Sequence, residues 1–341
     1  MSKLTSIANF TVANSCNGRC TTCNIWKSDP APDPPLDQIT DFFKDNRETL
    51  KDLRFIQLTG GEAFLRDDLP EIAEAVHSVA PKCMMWIPTN GLLPEKIHLT
   101  TKEIMRRINK PLVGVTISLD GEGDIHDKQR GIDGSYKKAM QTLQLLSELK
   151  TNFNTLQLST GFTLTTQNYM HAPLVQRISY RHEADFSIRP VNVSEHYYQN
   201  VGQNANFDPE EVWKIVRFIA QLARSEKGMT NSLTMVAYLR GVREFISSGR
   251  TLPCSAGKES VFIDGFGDVF PCIVMNHKLG NAYETPLKEI LASDETRNAC
   301  EVIDELKCPT CWLECEVYRD IRKDWRRLLD AFWWSFNQFS L

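Results

Sequence analysis

The chain has 341 residues, 42% hydrophobic and 24% charged, with the two signs interspersed and a net charge of −4. That is enough apolar material for a large core, and it excludes a nucleic-acid binder that relies on a concentrated basic surface. No window approaches the roughly 18 consecutive apolar residues that span a bilayer, and residues 1–5 carry no secretory h-region, so a cytoplasmic location is expected.

Short apolar, β-branched runs at 8–12, 53–58, 84–87, 113–118, 156–164 and 186–188 read as strands, with helical patterns such as 69–78, 135–149 and 172–182 between them. Nearly continuous apolar strands are buried on both faces, as in a parallel sheet. Six βα units are too few to close an eight-stranded barrel. The expected fold class is therefore α/β, a partial (β/α)6 TIM-type barrel with a small C-terminal extension of a β-hairpin plus helices. Chemistry in such folds sits at the C-terminal ends of the strands. At those ends lie Asn14-Ser15-Cys16, Thr59-Gly60-Gly61-Glu62, Thr89-Asn90-Gly91, Ser118-Leu119-Asp120-Gly121 and Arg189-Pro190. Two further helices are expected at 208–227 and 235–248, the first capped by Asp208-Pro209. A hairpin over 261–270 follows, flanked by Cys254 and Cys272. A final helix over 319–339 has an apolar stripe at Trp325, Leu328, Leu329, Phe332, Trp333 and Phe336. The expected units are a core over 1–230, an extension over 231–318 and the amphipathic helix over 319–341.

Ten cysteines in a chain expected to stay in a reducing compartment read as metal ligands before disulfides. Cys83 and Cys300 stand alone and read as small packed hydrophobes. Cys16-Asn-Gly-Arg-Cys20-Thr-Thr-Cys23 places three thiolates in one loop. Three ligands can hold three irons of a [4Fe–4S] cubane and leave the fourth iron open. That iron can chelate the amino and carboxylate groups of S-adenosylmethionine (SAM), whose sulfonium then accepts an electron and cleaves. The alternative is structural zinc, which needs four protein ligands, and no fourth Cys or His lies near in the sequence.

Cys16-x3-Cys20-x2-Cys23, Gly60-Gly61-Glu62 and Ser118-Leu119-Asp120-Gly121, in that order on successive strands, resemble the signature of the radical SAM superfamily. Asn24-Ile25-Trp26-Lys27 and His126-Asp127 with Arg130-Gly131 look like the branch with C-terminal SPASM or twitch extensions. The resemblance implies a SAM-binding cluster on Cys16, Cys20 and Cys23. It places SAM against Gly60, Gly61, Glu62, Asn90, Ser118 and Asp120, with Arg189 able to pair with the methionyl carboxylate or to make a rim salt bridge. Thr163 is a candidate for the adenine pocket or a plain core residue. The resemblance also implies a flavodoxin- or ferredoxin-type reductant.

Cys254, Cys272 and the run Cys308-Pro-Thr-Cys311-Trp-Leu-Glu-Cys315 resemble the SPASM/twitch cysteine set, with Leu279-Gly280-Asn281 as part of the connecting segment. Five cysteines suffice for one fully ligated auxiliary [4Fe–4S] cluster, held by Cys254, Cys272 and two of Cys308, Cys311 and Cys315. They are too few for two. The alternative is a zinc knuckle. A fully ligated cluster can accept the electron left on a substrate radical. Anaerobic sulfatase maturases carry a basic aspartate after the second cysteine of this hairpin, where this chain has Ile273. A base would have to come from elsewhere, with Glu195, His196, Tyr238 and Arg240 as candidates.

The expected first strand leaves no room ahead of it for the winged-helix domain that peptide-modifying relatives carry. The spacing Cys254-x17-Cys272 with Cys308-x2-Cys311 looks like that of the butirosin-pathway alcohol dehydrogenase. The expectation is an oxidation or rearrangement of a small molecule, sugar- or cyclitol-like, with a peptide or protein maturase as the alternative. A non-catalytic Fe–S electron carrier is the reading from another class. Arg322, Lys323, Arg326 and Arg327 give the last helix a basic side, so it can either pack on the core or touch a membrane surface.

Overall fold

A computed structural model describes residues 6–27, 32–108, 110, 112–202 and 206–337. Six strands, β1 (Ile7–Ala13), β2 (Phe55–Gly60), β3 (Met84–Thr89), β4 (Val113–Ser118), β5 (Leu156–Leu164) and β6 (Asp185–Pro190), run parallel in chain order. Helices between them cover the sheet, and residues such as Val12, Leu58, Ile87, Val115, Leu158 and Phe162 are buried. Burial on both faces explains why these strands alternate so little: β5 reads LQLSTGFTL and has seven of nine positions buried. Gly114 interrupts β4 because the Trp86 ring lies across it, 2.1 Å from where a methyl group would be.

The hairpin does not form a separate layer. β7 (Ser260–Ile263) pairs parallel with β1, and β8 (Asp268–Phe270) and β9 (Gly280–Asn281) add antiparallel beyond it. The result is one open nine-stranded sheet in the order β6-β5-β4-β3-β2-β1-β7-β8-β9. This bonds the extension to the strand that delivers the first cysteine loop.

One expectation about the helices holds and one changes. The two helices expected at 208–227 and 235–248 lie within Pro209–Ser248, separated at Gly228, whose φ of 75° and ψ of 168° no helix accommodates; the second begins earlier than its apolar pattern suggests. The expected helix 319–339 divides into Glu314–Lys323 and Trp325–Asn337. Asp324 stops the first and accepts from Arg326 N (3.1 Å) and Arg327 N (3.2 Å) to start the second. An apolar stripe alone cannot reveal that break, because both helices keep a 3.6-residue period. The expected end at residue 339 lies outside the described residues. The second helix packs on Pro209–Ser248 through Ala331 and through Trp334 against Trp213, with ring centroids 5.5 Å apart. Trp325, Leu329 and Trp333 remain exposed. Among the described residues no helix is long and apolar enough to cross a membrane.

Candidate functional site

The first cysteine loop leaves β1 and is held by backbone contacts from four directions. Asp33 accepts from Asn14 N (2.7 Å) and Ser15 N (3.3 Å). The C-terminal carbonyls of helix Asp124–Arg130 accept from the loop, Arg130 O from Arg19 N (3.1 Å) and Gln129 O from Thr21 N (2.9 Å). Gly131 ends that helix with φ 67°, and a methyl there would lie 2.2 Å from Arg19 O, so only glycine lets helix and loop meet. Asn90 donates to Asn17 Oδ1 (2.7 Å), and Asn200 donates to Thr22 O (2.9 Å).

The sulfurs of this loop converge. A methyl on Gly18 would sit 3.4 Å from Cys16 Sγ and 3.6 Å from Cys20 Sγ, so these two thiols flank one small space. Burial, with a smaller contribution from the neighbouring cysteines, pushes the Cys16 thiol up to about 11 and that of Cys23 up to about 12. Such thiols are poor nucleophiles. A cationic iron centre reverses the penalty by binding them deprotonated, which is the chemistry that fits this donor set. Among the described residues no three Cys, His, Asp or Glu side chains gather closely enough for a single metal ion.

The glycines of Gly60-Gly61-Glu62 are steric requirements. A methyl on Gly60 would meet Ala13 O at 2.0 Å, and one on Gly61 would meet Ser15 O at 2.1 Å. Glu62 is buried, and burial pushes its carboxyl up to about 7. Its two oxygens accept from Phe64 N (3.2 Å) and Asn90 N (2.7 Å), bracing the ends of β2 and β3. Asp120 is also a brace: it accepts from Thr163 N (2.7 Å) and pairs with Arg130 at 2.5 Å. Arg130 Nη1 in turn lies 3.7 Å from Cys20 Sγ. Thr163 thus takes part through its backbone. Ser118 is half-buried at the end of β4. Arg189, at the end of β6, faces Glu314 at 3.8 Å, the rim pairing weighed above. Glu314 also accepts from Ser187.

The second set gathers three distant segments. Cys254 precedes β7, Cys272 follows β8, and Cys308, Cys311 and Cys315 come from the segment entering helix Glu314–Lys323. Burial pushes Cys254 up to about 12 and Cys311 up to about 11, and holds Cys272 and Cys315 well above the usual thiol range. Cys311 acts electrostatically on Cys254, Cys272 and Cys315, and Cys315 also feels Cys272. Cys308 is raised by burial too, with Arg250 as its charged neighbour. Trp312, fully buried, anchors this segment: its ring lies 1.9 Å from where a methyl on Gly241 would project, and Tyr238 donates to its carbonyl (3.2 Å). Of the candidate bases, Tyr238 is therefore a packing residue. Cys83 is buried in the core as expected, and Cys300 is half-buried.

A segment after β6 joins the two sites. After β6, buried Asn192 accepts from Trp312 N (3.4 Å) and Ser194 donates to Ile273 O (2.6 Å), beside two cysteines of the second set. Asn200 reaches Thr22, and Tyr198 O accepts from Asn24 N (2.8 Å), beside the first set. Tyr197 donates to Gly60 O (3.2 Å). The Tyr198 hydroxyl is pushed up to about 12 by burial, with Arg189 lowering it and Cys23, Cys315 and Cys311 adding to the rise. The only local cue was a cluster of Asn and Ser after a strand, which ordinarily signals a turn.

Residues 10–170 match the Radical SAM superfamily and residues 254–316 the SPASM iron–sulfur cluster-binding domain. The chain is 22% identical over 317 residues to an AdoMet-dependent heme synthase of Methanosarcina barkeri, covering 87% of this chain and 85% of that protein. It is 24% identical over 300 residues to the antilisterial bacteriocin subtilosin biosynthesis protein AlbA of Bacillus subtilis, covering 84% of this chain and 59% of AlbA. Streptococcus suis SuiB, solved bound to S-adenosylmethionine, shares the fold with a TM-score of 0.63 at 15% identity, covering 85% of this chain and 66% of SuiB. The chain thus spans less than two thirds of AlbA and SuiB. The two domains imply [4Fe–4S] clusters and SAM as cofactors. The chain is a radical SAM superfamily protein with a C-terminal SPASM-type iron–sulfur domain.

Proposed function

We propose that this chain abstracts a hydrogen atom from a small organic substrate held between the two cysteine sites and then oxidises it. Cys16, Cys20 and Cys23 would hold the SAM-binding cluster, and Cys254, Cys272, Cys311 and Cys315 the auxiliary one. When bound, these groups and SAM supply reductive cleavage to a 5′-deoxyadenosyl radical and an acceptor for the substrate's remaining electron. Arg130, fixed by Asp120, directs positive charge at Cys20 and supports a bound thiolate. Glycines 60 and 61 let β2 close against β1 and the start of the cysteine loop. Ser118 and Arg189 offer a hydroxyl and a guanidinium to polar groups there, and Tyr198 lines the space between the sites.

The observation that carries this reading is the segment 192–200, which hydrogen-bonds to residues beside both cysteine sets. A small substrate draws support from the heme synthase, of which the chain covers 85%; a sugar or cyclitol is the finer form of that reading. A peptide substrate is the second reading, favoured by the similarity to AlbA and by the fold shared with SuiB, also solved bound to its precursor peptide SuiA. The units 1–230, 231–318 and 319–341, the external flavodoxin- or ferredoxin-type reductant, and a peripheral membrane contact through exposed Trp325 and Trp333 belong to the same proposal.

The test is anaerobic reconstitution with iron and sulfide, then incubation with SAM and dithionite. Release of 5′-deoxyadenosine is expected, and its complete absence from a fully loaded protein would favour the electron-carrier reading. Deuterium transfer from labelled candidates into 5′-deoxyadenosine then separates small molecules from peptides.

A further inference from the structure

Arg250 is a buried cation that the proposed reaction does not use. Its side chain is 2% exposed. Nε donates to Leu252 O (2.8 Å), Nη2 donates to Pro253 O (3.0 Å) and to Asp320 Oδ2 (3.1 Å), and Nη1 donates to Cys311 O (3.3 Å). Nη1 also lies 4.0 Å from Cys311 Sγ. The charge of Arg250 acts on Cys254 and Cys308 as well. Asp320, itself buried, is held by Ser255 Oγ at 2.6 Å. A guanidinium locked by three backbone carbonyls and a carboxylate cannot swing away, so its charge is fixed beside the thiols.

We propose that Arg250 is a positioning residue that raises the reduction potential of the auxiliary cluster, with Asp320 moderating it. The inference rests on the reading that these cysteines hold a [4Fe–4S] cluster. Reduction adds one electron, drawn from the external reductant, to the cluster and its thiolates. A fixed positive charge beside Cys311 stabilises the added negative charge, whereas the nearby carboxylate opposes it. Charge and hydrogen bonds around cluster sulfurs are the levers by which proteins set such potentials. A more easily reduced auxiliary cluster is a better acceptor for an electron from a substrate radical.

The experiment is an EPR-monitored dithionite titration of the reconstituted full chain, with Cys16→Ala used as background to remove the first cluster's signal. Arg250→Gln is expected to shift the auxiliary midpoint to more negative potential, Arg250→Lys to restore most of the shift, and Asp320→Asn to move it to more positive potential. A purely structural role would move iron content, not the midpoint in opposite directions. Unchanged midpoints in Arg250→Gln and Asp320→Asn at full iron loading overturn the proposal. If Arg250→Gln does not retain the cluster, Asp320→Asn decides alone: a positive shift supports the proposal and an unchanged or negative one overturns it. Absence of any auxiliary signal in the Cys16→Ala background, at full loading of the remaining site, overturns the cluster reading and this inference with it.

Discussion

The two cysteine sites solve one physical problem in opposite ways. The first takes all its thiols from a single loop, so its geometry is local and the rest of the fold has only to grip it. The second draws from segments before β7, after β8 and ahead of helix Glu314–Lys323, so it exists only when the extension has folded. Yet each has the same companion, an arginine tied to a buried aspartate: Arg130 with Asp120 at 2.5 Å and Arg250 with Asp320 at 3.1 Å. Clustered thiolates repel one another, and a fixed guanidinium offsets that cost wherever they are assembled. The recurrence in two unrelated loops points to charge balance as the shared requirement.

The largest effect should come from the thiols and should be asymmetric. Replacing Cys16, Cys20 or Cys23 by alanine is expected to reduce 5′-deoxyadenosine formation to background, measured by chromatography after dithionite treatment. Cys272→Ala should leave the first site's iron in place and lower only the total. If both substitutions deplete iron equally, the sites are not independent and the comparison breaks.

Within the second set, Cys315→Ala should remove the auxiliary EPR signal and Cys308→Ala should retain it, because Cys315 is coupled electrostatically to both Cys272 and Cys311, whereas Cys308 is coupled to Cys311 alone. The reverse pattern would make Cys308 the fourth ligand.

Next in size is Asp120→Ala, which takes from the largely enclosed Arg130 its carboxylate partner. Losing one partner of a buried ion pair costs about 3–5 kcal/mol, so chemical denaturation should show that loss, and the first site should load less iron. Gly241→Ala is expected to cost about 1–3 kcal/mol by forcing a methyl into the Trp312 ring. Its damage should fall on the second site's iron alone, and an unchanged auxiliary signal would show that Trp312 does not anchor those cysteines.

The smallest effect belongs to the bridge. Ser194→Ala removes the hydrogen bond donated to Ile273 O and the one accepted from Tyr197 N, each worth about 1 kcal/mol. Thermal stability should fall only slightly, while the dipolar interaction between the two reduced clusters in pulsed EPR should broaden. An unaltered spectrum would mean that the separation is fixed by the β1–β7 pairing instead.

Much of this was legible in the residues themselves. The six parallel strands follow from apolar runs whose burial on both faces leaves no alternation to misread. Gly60 and Gly61 were legible as a motif after a strand, whereas their steric need against Ala13 O and Ser15 O came from the fold. Less legible were Glu62, Asn90 and Asp120, whose polar atoms brace backbone and loop; a carboxylate in a motif looks the same whether it meets a ligand or an amide. The helix break at Asp324 was hidden because a capping residue can sit inside an unbroken stripe.

By itself, the sequence determined which atoms could bind iron, because thiol spacing is a local property and a three-cysteine loop carries its own geometry. Only the tertiary structure decided what surrounds those thiols. Arg130 meets Cys20 across 110 positions, Arg250 meets Cys311 across 61, and Asn200 meets Thr22 across 178. No periodicity or motif reports such pairings, since they arise when the sheet closes distances that the chain leaves open. Charge balance and the separation of the two sites are properties of the folded chain.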